Sequence, residues 1–220
     1  MNTNTKKVLG WSLALGPILF HVFFGAFYGD TDPTIDTAGT FLNDASANVL
    51  LSKILVLAGN LTMVVVVGAL FVFASFIAST SEAPAVGLFS AFFFLVLGAG
   101  IIESGAAELT ALEFYDKGNV DQAVNVFVAT LSESGGMFSL ILAAGMLTLR
   151  SAIINANGVI GTGKIFKTVN YGLLIAGLIH LSFPLIPHLG DGFDAIGFLG
   201  WIGGWLIIVL LGVGLLRTND

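Results

Sequence analysis

The chain contains no cysteine, only eight lysines and arginines, and few charges of either sign. The first absence excludes disulfides, thiolate-bound metals and cysteine nucleophiles, and leaves the redox compartment without a marker. Any catalytic or ligating group must then come from His, Asp, Glu, Ser or Tyr. The shortage of cations, with a formal net charge of −6, excludes nucleic acid as a partner, because phosphate binding requires clustered Lys and Arg. Charged residues make up 10% of the 220, against roughly a quarter in an average soluble domain.

What the chain has instead is apolar length: 56% of its residues are hydrophobic. A window of about nineteen residues resolves six apolar segments, at about 8–28, 49–79, 86–112, 122–149, 168–188 and 194–216. Segments this long, without strand alternation, must be helices in lipid, where no backbone amide goes unpaired. The sequence predicts an all-α integral membrane protein, a six-transmembrane-helix bundle whose first partner is the lipid bilayer. The longer connections, 29–48 and 151–167, are too short to hold a separate core, so residues 1–220 form one domain. The N-terminal Lys6, Lys7 and apolar run resemble a signal peptide. The run is nevertheless long enough to span a bilayer and no small-residue cleavage site follows, so it reads as the first transmembrane helix.

Cytoplasmic loops retain Lys and Arg. With both termini cytoplasmic, Lys6, Lys7, Arg150, Lys164, Lys167 and Arg217 lie inside, while Lys53 and Lys117 lie near the outer surface. The expected setting is a prokaryotic inner membrane or a plasma membrane. On this topology Asp30, Asp32, Asp36, Asp44, Glu113, Asp116, Asp121, Asp191 and Asp194 make the outer face acidic. Such a face is a solvated rim, or a funnel that concentrates cations.

Six ionisable residues fall within spans, in the middle-to-outer part of the membrane: His21, Glu103, Glu108, Glu133, His180 and His188, with Lys53 at the mouth of the second span. A charge at mid-bilayer costs about 2.5–3.5 kcal/mol on insertion scales. Carboxylates gathered at one depth therefore call for a shared environment, such as a polar cavity open to the outside. The alternative is that each is neutral, hydrogen-bonded and structural. Glu103 and Glu108 are five positions apart, about 140° around a helix, and cannot both face one ligand. Ala99, Ala106, Ala107 and Thr110 leave room around Glu103, the favoured cavity residue. Glu108, beside Ser104 and Leu112, is assigned to a neighbouring helix or subunit. Asn125, Ala129, Ser132, Gly136, Ser139 and Ala143 form a small-polar stripe, first of all a packing surface, with Glu133 on its border.

In the fifth span, Pro184 and Pro187 follow His180, and Pro184 is expected to kink the helix by freeing the His180 carbonyl. The first span pairs Gly16 and Pro17 with His21, a faint similarity between the two. In the sixth, Gly200 and Gly204 form a GxxxG pair, with Gly197 and Gly203 close by, where another helix of the chain or a second subunit packs. Trp201 and Trp205 follow its outer part.

Three classes of function remain. In the first, an outward-facing cavity lined by Glu103, Glu133, His21 and His180 binds or transports a proton, cation or small solute. The second is a membrane-embedded centre: His21, Glu103, Glu133 and His180 could ligate zinc, iron or copper, and two histidines could hold a haem, although no close-spaced motif is present. The "SESGG" at 132–136 resembles the GxSG of rhomboid proteases, which also have a six-helix core with the active site in the outer half. Ser132 stands where that family has its first glycine, and the sixth helix lacks a histidine, so the resemblance implies Ser134 with His180 as base. The third class is an accessory subunit of a homo-oligomer or larger membrane complex, in contact through the glycine-rich sixth helix. In architecture, without a shared motif, the chain is similar to the substrate-binding subunits of vitamin transporters.

Overall fold

The computed structural model describes residues 1–29, 34, 36–81, 83–156, 163–185 and 194–217, with the side chains of 130–135 and 194 left aside. Local chemistry sets the helix ends. Asn2 accepts a hydrogen bond from the Thr5 amide at 2.8 Å and starts α1, Thr3–Tyr28; Gly29, at a φ of 60°, ends it. Asn48 caps α3, Val49–Thr80, in the same way, through the Leu51 amide at 3.2 Å. Pro84 opens α4, Pro84–Asp116, in its first turn, where no backbone donor is needed. Gly118, at a φ of 80°, then turns the chain into α5, Val120–Asn155. The last two long helices are α6, Lys164–Ser182, and α7, Asp194–Arg217; α2 is introduced below.

Among the described residues, six helices are long and apolar enough to cross a bilayer, the architecture of a polytopic membrane protein. Large apolar side chains such as Trp11, Leu61, Phe92, Leu178 and Leu206 are exposed on its outer surface, as contact with lipid requires. At 1.5 Å per residue, the 36 residues of α5 span about 54 Å, well beyond a hydrocarbon core of about 30 Å.

The long helices form a closed ring in chain order. Helix α1 packs on α3, α3 on α4, α4 on α5, α5 on α6, α6 on α7, and α7 back on α1. Each runs opposite to its neighbours, so Lys6, Lys7, Arg150, Lys164, Lys167 and Arg217 gather at one end. That basic end is closely packed. Leu13, Val66, Leu70, Phe73, Ile77 and Leu211 are almost completely buried there, and α1 meets α7 backbone to backbone. A Cβ on Gly212 would lie 2.6 Å from the Gly10 carbonyl oxygen.

At the opposite end, the expected 29–48 connection contains the short helix α2, Ala38–Ser46. Ala38, Phe41 and Leu42, spaced as one helical face, bury against Phe27, Val56, Leu112 and Phe127. The two intrahelical prolines behave differently. Pro17 lies inside a continuous α1. Pro184 ends α6 instead of kinking it: the Phe183 amide bonds the His180 carbonyl, and a 3₁₀ turn, Phe183–Leu185, follows.

Candidate functional site

Between the packed basic end and the α2 end, the ring surrounds a half-open cavity of about 740 Å³, to which five of the long helices and the 3₁₀ turn after α6 contribute. Its walls are mainly apolar and aromatic. Phe20, Phe24 and Tyr28 come from α1, Phe138 from α5, Phe183 from the end of α6, and Trp201 and Trp205 from α7. Polar groups enter from Tyr28, Asn60, Ser104, Glu108 and Ser139, and Glu108 is the one carboxyl among the described lining residues, which include no Lys, Arg or His. This size and lining match those of small-molecule sites, about 300–1,000 Å³ with a few placed polar groups.

Glu108 is only 5% exposed. Tyr28 donates its hydroxyl proton to Glu108 Oε1 at 2.7 Å, and Asn60 Nδ2 donates to Oε2 at 3.1 Å. Three helices thereby converge on one carboxyl. Asn60 Nδ2 also donates to the Val56 carbonyl at 3.0 Å, so the atom between these two acceptors must be the amide nitrogen. Asn60 fits because residue 105 has no side chain: a Cβ on Gly105 would stand 2.6 Å from Asn60 Cγ. The Tyr28 ring is held by α2. It stacks on Phe41 at 5.2 Å and 16°, and Phe41 stacks on Phe127 of α5 at 5.1 Å and 16°.

The two third-span carboxylates are thus arranged opposite to expectation. Glu108 faces the ring interior, whereas Glu103 is exposed on a separate groove of about 600 Å³ between α4 and α5, with Ala99, Gly100, Ala107 and Ala129 around it. Lys53 lines neither space; it is half-buried and interacts electrostatically with Glu113, which is also bonded to Lys117 at 2.6 Å. The Glu133 side chain and all of His188 lie outside the described residues, as do the side chains of Ser132 and Ser134.

His21 and His180 sit in matching local geometry. Each donates from Nδ1 to the carbonyl four residues earlier, His21 to Pro17 at 2.7 Å and His180 to Ala176 at 2.8 Å. A carbonyl only accepts, so both rings carry the Nδ1 proton and both Nε2 atoms are without partners. Both also border Trp201, at 6.3 Å between ring centroids. They do not face one open space: His180 is fully buried against Phe183, while His21 lines an outer groove between α1 and α7. Neither lines the cavity around Glu108, so among the described residues His21, Glu103 and His180 do not share one space. Among the described residues, no three His, Asp or Glu side chains are grouped to hold a metal ion.

Gly200 and Gly204 turn toward α6 of the same chain, against Ile179 and His180 respectively. Gly203 has open space where a Cβ would be, and Gly197 is half-buried. Sequence reasoning missed Asn60 and Tyr28. The signal for Asn60 was present: an amide alone in "LVLAGNLTMVVVV", where an unpaired polar group in lipid is costly. In comparisons with known proteins, no protein family, curated sequence or solved structure matches this chain.

Proposed function

We propose that this polytopic membrane protein binds a small, largely apolar solute in the cavity within its helix ring and presents it to, or moves it across, the bilayer. The observation that carries this reading is the half-open aromatic space of about 740 Å³ with a single hydrogen-bonded carboxyl at one side. Its walls favour an organic solute over a hydrated ion or a bare proton, because the aromatic faces offer contact area and few replacements for water. With the Lys- and Arg-rich end cytoplasmic, in a plasma or prokaryotic inner membrane, the cavity lies toward the outer side.

The test is native mass spectrometry from mild detergent, comparing the unaltered chain with Ser139→Phe, which places a ring in the cavity. Support would be an organic mass carried by the unaltered chain and absent from an equally heat-stable variant. A ligand-free spectrum for both, together with no cavity-dependent flux in vesicles, refutes it. One observation favours a second reading, an accessory subunit: Glu103 is exposed in a groove of small residues that a partner helix would fill. In the same spectrum, that reading requires a second polypeptide or copy that Glu103→Gln releases.

A further inference from the structure

Resting on the cavity reading above, hydrogen-bond accounting at Glu108 narrows the ligand's chemistry. The donors of the Glu108 cluster itself are already engaged, whereas across the space the buried Trp205 Nε1–H of the cavity wall has no partner among the described residues. The Tyr28 O–H points to Glu108 Oε1, and the two Asn60 N–H groups go to Val56 and to Glu108 Oε2. The acceptors are not exhausted. Each carboxyl oxygen has two lone pairs and has received one donor, and Asn60 Oδ1 has received none. Ser104 and Ser139 present hydroxyls that adapt to either role. An anionic head group would meet a carboxyl and an amide oxygen with no cation to balance it, since no Lys, Arg or His is among the described lining residues.

The remainder of the wall is suited to positive charge. The rings of Phe20, Phe24, Tyr28 and the Trp201–Trp205 pair line the same space, and aromatic rings attract a desolvated cation. A buried carboxyl with spare acceptor capacity beside aromatic rings combines the two elements by which proteins hold organic ammonium groups. We infer that the cavity's ligand is a hydrophobic amine, its ammonium donating to Glu108 and Asn60 and its apolar body packed among the aromatic rings.

The test uses three ligands sharing one apolar cage: 1-adamantylmethylamine, 1-adamantylmethanol and 1-adamantanecarboxylate. Binding is followed by calorimetry and by the fluorescence of Trp201 and Trp205, with the full chain in lipid nanodiscs and empty nanodiscs as baseline. The amine should bind at least tenfold tighter than the alcohol, and the carboxylate weakest. Glu108→Gln, of the same shape, should erase the amine's advantage. Equal binding of amine and carboxylate, equal binding of amine and alcohol, or an amine preference that persists in a folded Glu108→Gln chain overturns the inference. The series on the unaltered chain decides the matter even where the variant does not fold. If all three ligands bind equally and Ser139→Phe abolishes binding, the cavity reading survives and only the ammonium falls; if none binds, both fall.

Discussion

Replacing Gly105 by alanine isolates the packing that holds the carboxyl cluster. A methyl group there would stand 2.6 Å from Asn60 Cγ and 2.9 Å from each of its terminal atoms, closer than non-bonded atoms tolerate. The amide would have to swing away, and with it go the bonds to Val56 and Glu108. Overpacking of this kind costs about 1–3 kcal/mol, and polar pairs between membrane helices contribute about 0.6 kcal/mol on average, up to about 1.7. Against these stands the gain from replacing glycine inside a helix, about 0.8–1 kcal/mol. The net expectation is a loss of about 1–4 kcal/mol. The assay is reversible unfolding in mixed micelles, arranged as a double-mutant cycle with Asn60→Ala.

The cycle supplies the decisive comparison. With Asn60 truncated, the alanine methyl at 105 has nothing to displace, so Gly105→Ala should become neutral or stabilising by up to about 1 kcal/mol. A coupling of at least about 1 kcal/mol between the two positions is required. If Gly105→Ala costs the same with and without the amide, Gly105 does not accommodate Asn60 and the account of this cluster is wrong.

Phe41→Ala removes the ring between Tyr28 and Phe127, and should cost about 3–5 kcal/mol in the same unfolding assay; a loss under about 1 kcal/mol would mean that α2 does not brace the site. Gly212→Val, pressed against the α1 backbone, should abolish the folded state or lower its melting temperature sharply, whereas Gly203→Ala, which meets open space, should leave it unchanged or stabilise it by up to about 1 kcal/mol. Equal effects at the two glycines would contradict the α1–α7 contact. Because the chain has no cysteine, Lys6→Cys and Asp44→Cys can each be labelled alone with an impermeant thiol reagent. The two positions should be reached from opposite sides of the membrane, position 6 from the cytoplasm, and labelling from one side rejects the up-down ring.

The six long helices were legible because their length and hydropathy depend on nothing outside each segment. Helix α2 was not: nine residues with three buried side chains fall below a membrane-length window, and only the docked partners give its face a reason. The choice between Glu103 and Glu108 shows where helical geometry stops. Their separation establishes that they diverge, but which one faces inward depends on the neighbouring helix. Small residues around Glu103 suggested room for a ligand, whereas they line a groove on the outside of the ring. The inward face was marked instead by Gly105, three residues before Glu108, and by a matching amide on another span. That pairing becomes visible only when α3 lies against α4. The histidines carry a similar lesson, since each satisfies one nitrogen within its own helix and so needs neither the other nor a shared ion at that atom.

The cavity itself follows from a gradient of residue size along α1 and α7. At the basic end the facing residues are small: Gly10 and Ala14 on α1 meet Gly212, and the backbones nearly touch. Two turns further along α1 the contacts are aromatic, with Phe20 at 5.9 Å from Trp205 and His21 at 6.3 Å from Trp201, ring centroid to ring centroid. Antiparallel helices that meet through glycine at one end and through tryptophan at the other must diverge, since interaxial distance is set by the side chains between them. Helices α3, α4 and α5 and the turn after α6 add residues to the space so opened, while α2 packs on α3, α4 and α5 at the same end. The void thus arises from the positions of Phe20, Trp201 and Trp205, large residues placed where a uniformly packed bundle would carry small ones. It places Glu108 where it meets only what enters the ring or what α1 and α3 bring to it.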